Sequence, residues 1–223
     1  MEPRYARNVP ALTEEECARL GEKQVLVVGC GGLGGHLLDQ LARIGVGAIR
    51  AVDGDVFEAS NLNRQLLSQP GLLGQSKAEA AAQHVSRVNP QVSVEAVTAF
   101  LAEENADFLL RGCHAVLDGL DNISSRRVLS QACARAGIPY IYGAVSGWVA
   151  QAAISMPSDR LVELLYPEDR VLREKSVLSF TPALCASMQT ALCVKYLVGR
   201  PVETGTIYYF DLLHQEFETI AMV

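Results

Sequence analysis

The chain has 223 residues, 49% hydrophobic and 20% charged. That length and balance suit one folded domain with a sizeable core and exclude disorder or dependence on disulfide or metal staples. The net charge of −6 disfavours nucleic acid as the main partner, because phosphate backbones select basic surfaces.

The six cysteines show no CxxC spacing, and residues 1–7 carry charge where a secretory segment needs an apolar core. Reduced thiols in a cytoplasmic protein are therefore expected. The charge-free runs 136–158 and 176–194 are broken by proline, glycine and polar residues, so they read as buried elements with turns and no membrane span is expected.

Taken in order, the elements alternate. Thr13 to Glu16 forms a capping box that opens an N-terminal helix. Residues 24–29 (QVLVVG) read as a buried strand, 34–44 as a helix and 48–53 as a second strand. A helix over 76–88, capped by Ser76, precedes a strand at 92–98. A strand at 115–118, a helix at 124–136 and strands at 139–143 and 148–155 follow. Residues 181–198 form a helix that tolerates Pro182 in its first turn, and 206–211 with 215–220 make a closing hairpin.

Repeated strand–helix–strand units predict an α/β fold. Its sheet is Rossmann-like, doubly wound and mostly parallel, with antiparallel C-terminal strands. The expected organisation is a single unit: a helical arm (1–22), a nucleotide-binding half (23–143) and a second half (144–223).

Gly29-Cys30-Gly31-Gly32-Leu33-Gly34 lies between the first strand and its helix. Gly29, Gly31 and Gly34 permit a tight turn, close approach to phosphate and close helix–strand packing. Asp53, at the end of the second strand, is placed to accept ribose hydroxyls. The alternative is a glycine turn that only packs a helix on a strand, and the loop alone does not choose between a dinucleotide and ATP.

The polar cluster that follows does choose. After Asp53 and Asp55 come Asn61, Arg64 and Gln65, residues for which a redox domain has no evident need. Arg64 offers a planar fork for phosphate oxygens. Lys77 opens a helix, where the dipole disfavours a cation unless an anion is bound there; by itself it reads more readily as a solvated surface lysine. Asp121 can hold Mg²⁺, or with Asn122 can simply cap the next helix.

These residues resemble the ThiF/MoeB/HesA family, the bacterial relatives of ubiquitin-activating enzymes. The matching pieces are RYARN at 4–8, GCGGLG at 29–34, VDGD at 52–55, SNLNRQ at 60–65, GQSKAEAA at 74–81, NP at 89–90, DGLDN at 118–122 and SMQTALCVKYLVG at 187–199. The resemblance covers nearly the whole chain. It implies an adenylyltransferase that uses ATP and Mg²⁺ on the C-terminal Gly-Gly carboxylate of a small ubiquitin-like sulfur carrier. In those roles Asp53 holds the ribose, Asn61, Arg64 and Lys77 the phosphates, and Asp121 the metal. Arg7 matches an arginine that reaches the phosphates from the neighbouring subunit, which implies a homodimer.

The sequence departs from zinc-bearing relatives. Leu161 and Leu164 stand where they carry a CxxC, so no structural zinc is expected, and the leucines are expected to pack that corner by burial. The loop before the last helix, 170–180, has no cysteine, and Cys185 lies inside the helix, where an apolar setting keeps a thiol inert. The charged stretch 170–175 is expected to form a crossover loop. No sulfurtransferase domain follows, so sulfur is expected from another protein. Trp148 reads either as a groove wall or as core, and the four histidines carry no assigned role. The rival readings are an NAD-dependent oxidoreductase, a relative activating a tRNA-base carboxylate, and a non-catalytic scaffold.

Overall fold

The computed structural model describes residues 2–167 and 176–222. The expected crossover stretch at 170–175 lies outside them. Eight strands form one sheet in the order β3-β2-β1-β4-β5-β6-β7-β8. These are β1 (Gln24–Val28), β2 (Ala48–Val52), β3 (Ser93–Val97), β4 (Ala115–Asp118), β5 (Tyr140–Ser146), β6 (Val149–Ser155), β7 (Thr206–Asp211) and β8 (Glu216–Ala221). Strands β1 to β5 pair in parallel and the rest antiparallel, the sheet that the alternating pattern predicts.

Alternation along β1 explains the layering. Val25 and Val27 face one core with α2 (Gly32–Ile44), α3 (Lys77–Val88) and α7 (Phe180–Val198). Leu26 and Val28 face the other, with α4 (Glu103–Leu109), α5 (Ile123–Ala136) and α6 (Leu161–Leu165). Both faces of the central strands β1 and β4 are thus buried, as apolar runs in a parallel sheet require. No described helix is long and apolar enough to cross a membrane.

Some boundaries differ from the sequence reading. Helix α2 starts at Gly32, because glycines that are poor helix formers nevertheless suit a first turn that must lie against other backbone. Helices α4 and α6 are short, with 7 and 5 residues, too brief for a helical period to show. Leu161 is buried at 2% exposure, but Leu164 is 51% exposed. Only the first of these two leucines packs the corner, together with its fully buried neighbour Val162. Trp148 lies outside β6, exposed, with its ring 5.0 Å from that of Phe180.

The N-terminal arm is tied to the far end of the sheet. The ring of Tyr5 covers Gly45, where a Cβ would sit 2.7 Å from it. Buried Asn89 donates to the Tyr5 hydroxyl and to Ala42 O at 2.7 and 2.8 Å, and accepts from Arg4. Helix α1 (Glu14–Gly21) starts with the predicted capping box. Both Glu16 carboxylate oxygens also accept from Arg200 at 2.7 Å. Arg200 first, then the Thr13 amide, hold the Glu16 carboxyl down at about 2, against an ordinary 4.5.

This shift has a pH consequence. Glu16 contributes stability in full above pH 4.5, and the contribution is lost as pH falls toward 2. Denaturation midpoints measured from pH 5 to pH 2 should therefore fall less steeply in Glu16→Gln than in the wild type. Equal slopes would remove Glu16 from the account.

Candidate active site

The cleft lies where the strand order reverses, between the C-terminal ends of β1 and β4. Open α/β sheets bind ligands at this point. Its volume is about 290 Å³.

Glycines of two loops build its floor. Gly29 takes φ +89°, and a Cβ there would meet Gly119 O at 2.6 Å. A Cβ on Gly34 would lie 1.7 Å from Gly29 O. The β1–α2 and β4–α5 loops therefore touch backbone to backbone, a contact only glycine allows. Gly31 and Gly32 line the cleft, and Gly34 does not; its place is behind the loop, as packing.

Asp53 organises this loop. Its Oδ2 accepts from Cys30 N at 2.7 Å, and its Oδ1 accepts from Asp55 N at 2.8 Å. Burial pushes its carboxyl above the usual range, while the amides of Asp55 and Cys30 and the Lys77 cation pull it back. Asp53, so held, lines the cleft.

Charged side chains stand around the loop. Arg64 lines the cleft and donates to Ser60 O at 2.8 Å and to Asn63 Oδ1 at 2.9 Å. Lys77 is buried at 7% exposure, which departs from a solvated surface lysine, and pairs with Asp55 at 3.1 Å. Asp121 is exposed at the rim. Gln65 is also buried, and its Oε1 has no hydrogen-bond partner although the side chain lines the cleft. An unsatisfied buried acceptor costs about 1–3 kcal/mol, so a donor on a bound molecule would relieve it.

Two expected residues do other work. Asn61 is buried and does not line the cleft; its Oδ1 accepts from Glu58 N at 3.0 Å and closes a 3₁₀ turn. Asn122 lines the cleft but also caps α5, accepting from Ser125 N at 2.9 Å. Arg7 is exposed and outside the cleft. It follows the residues packed on Gly45, at the end of α2 remote from the glycine loop. The 13 residues of α2 span about 20 Å, so Arg7 is not brought to its own chain's cleft.

The sequence reading missed a buried group at the wall of the cleft. Arg126 lies at 3% exposure and Asp118 at 0%. Arg126 Nε donates to Asp118 Oδ2 at 3.0 Å, and its Nη2 donates to Leu120 O and Gly143 O at 2.7 and 2.8 Å. Tyr140 donates to the same carboxylate. Burial works against the Arg126 cation, but Asp118 together with Tyr142, Tyr140 and Tyr166 more than offsets it and raises its pKa. An arginine four residues after Asn122, in an otherwise amphipathic helix, was the available signal. Cys185 is fully buried and donates to Gln151 O at 3.1 Å; burial pushes its thiol up to about 12, which leaves it inert.

A glycine cradle with a helix start, two cations and several carboxylates at a sheet switch point defines an anion-binding α/β protein of the nucleotide-binding type. Comparison with known proteins gives the particular family. The chain belongs to the ThiF family, whose model matches residues 5–222. It is 34% identical over 227 residues to the SAMP-activating enzyme E1 of Haloferax volcanii, covering 97% of this chain and 84% of that protein. It is 32% identical over 235 residues to the sulfur carrier protein adenylyltransferase of Thermus thermophilus, covering 98% and 86%. The crystal structure of E. coli MccB with ATP superimposes with a TM-score of 0.83 at 20% identity, over 100% of this chain and 71% of that one; this likeness concerns the fold. The chain is accordingly an adenylyltransferase, and these relatives lend nothing to an oxidoreductase reading.

Proposed function

We propose that this adenylyltransferase activates the C-terminal Gly-Gly carboxylate of a ubiquitin-like sulfur carrier with MgATP. The observation that carries the reading is the convergence of Asp53, Arg64, Lys77 and Asp121 on one glycine-floored cleft. Close relatives named for carrier activation support the choice of substrate.

The chemistry fits this residue set. A carboxylate oxygen of the carrier attacks the α-phosphorus, the bond to the bridging oxygen breaks, and pyrophosphate departs with its electrons. The nucleophile arrives ionised, so no general base is required. Catalysis is then positioning and charge stabilisation. Asp53 holds ribose hydroxyls, Gln65 Oε1 accepts a further donor from the nucleotide, and the helix start with Arg64 and Lys77 holds the phosphates. Among the described residues no group of three or more His, Cys, Asp and Glu gathers as a metal site. Magnesium carried on a triphosphate needs only one or two carboxylates, and Asp121 at the rim suits that role.

Arg7 completes the site from a second copy, so the working unit is a homodimer. Its exposure and its distance along α2 from its own cleft support action in trans. Six thiols, five of them buried and none paired, suit a reducing cytoplasm.

The test is ATP–pyrophosphate exchange with Gly-Gly-ending carriers. Exchange should require Mg²⁺ and should disappear when the last glycine is removed from the carrier. Exchange indifferent to the carrier's tail would defeat the reading.

A further inference from the structure

We infer that Gln189 is a positioning residue that fixes the 118–122 loop against the glycine loop. The inference rests on the adenylation reading for its catalytic consequence, though not for its structural one.

The geometry starts at a gap in the sheet. Strands β4 and β5 pair only as far as Leu117 with Ile141. The β4–β5 ladder ends at that pair, and the carbonyls of Asp118 on β4 and Ile141 on β5 stand at its end. Gln189, fully buried in α7, bonds to both: its Nε2 donates to Asp118 O at 2.9 Å and to Ile141 O at 3.1 Å. A neutral amide with two N–H groups is suited to bridge two carbonyls.

Room for that amide is built in. A Cβ on Gly143 would lie 2.3 Å from Gln189 Cδ. The glycine on β5 and the glutamine on α7 are therefore one feature. Pro182, seven residues earlier on α7, lines the cleft. Seven residues are about two helical turns, so Gln189 and Pro182 share a side of α7. The amide thus ties the helix that walls the cleft to the loop that carries Asp121.

The rest of the loop is held from other sides. Asp118 Oδ1 accepts from Leu120 N at 2.7 Å, and Arg126 and Tyr140 occupy Oδ2. Gly119 N donates to Val28 O at 2.8 Å, beside its close contact with Gly29. Among the described residues, Gln189 engages the Asp118 carbonyl from α7. Without it, the connection from β4 to Asp121 loses this link to the helix.

The experiment uses the full chain carrying Gln189→Met, which keeps the length of the side chain and removes both donors. In ATP–pyrophosphate exchange, kcat should fall about tenfold or more, as expected when reacting groups lose registration. The Kd for ATP, measured without carrier, should change less than about twofold, because the glycine loop, Arg64 and Lys77 stay in place. Amide hydrogen exchange should accelerate at residues 119–122 and stay unchanged in β1 and β2. Gly143→Ala displaces Gln189 without altering it, and should give the same selective loop signature. It decides the question if Gln189→Met fails to fold. Unchanged loop exchange in the folded variant, or acceleration spread evenly over the sheet, would overturn the assignment. A wild-type protein without carrier-dependent exchange would instead defeat the adenylation reading, and the loop measurement would still judge Gln189.

Discussion

Arg64→Ala and Asp121→Ala should each lower carrier-dependent ATP–pyrophosphate exchange by about 10²–10³-fold, the usual loss when one group that stabilises transition-state charge is removed. Both proteins should still fold. The bonds Arg64 makes in this structure, to Ser60 O and Asn63 Oδ1, are local, and Asp121 is exposed at the rim. Surface substitutions away from the core usually change stability by no more than about 0.5 kcal/mol. Lys77 differs, because it is buried and paired with Asp55; truncating it would mix lost charge with a cavity. Melting curves alongside exchange rates provide the check. Near-wild-type exchange in either variant would remove that residue from the site.

A mixing experiment tests Arg7. Arg7→Ala and Asp121→Ala homodimers should both be nearly inactive. After subunit exchange, half the dimers are mixed, and each mixed dimer holds one site with an intact Asp121 on one chain and an intact Arg7 on the other. Recovery should approach about a quarter of wild-type activity, as two-fold symmetry dictates. The geometry supports this outcome, since the Tyr5 ring packs on Gly45 at the end of α2 remote from the glycine loop. Recovery at the level of the unmixed variants would place Arg7 outside the partner's site.

Much of this was legible in the sequence, for physical reasons. The apolar run of β1 and the glycines after it define a strand that turns tightly into a helix, and local chemistry suffices to read both. Thr13 and Glu16 announce their capping box three residues apart. What escaped depends on contacts far apart in sequence. Gln189 meets Asp118 across 71 positions, and nothing near it in the chain marks it as a ligand for a strand carbonyl. Arg126 reads as a surface arginine until Asp118 buries beside it. Lys77 looks solvated until Asp55 pairs with it from the β2–α3 connection. Asn61 shows the opposite case: the motif offers it to a phosphate, and in this structure its Oδ1 closes its own turn.

The central claim is that a carrier carboxylate becomes an acyl-adenylate in this cleft. The most direct measurement is the intact mass of a Gly-Gly-ending carrier after brief incubation with the protein, ATP and Mg²⁺. The account predicts a gain of one adenylyl group, lost on treatment with pyrophosphate and absent from a carrier lacking its last glycine. A carrier of unchanged mass while ATP is consumed to AMP and pyrophosphate, or adenylation that ignores the terminal glycine, would contradict it.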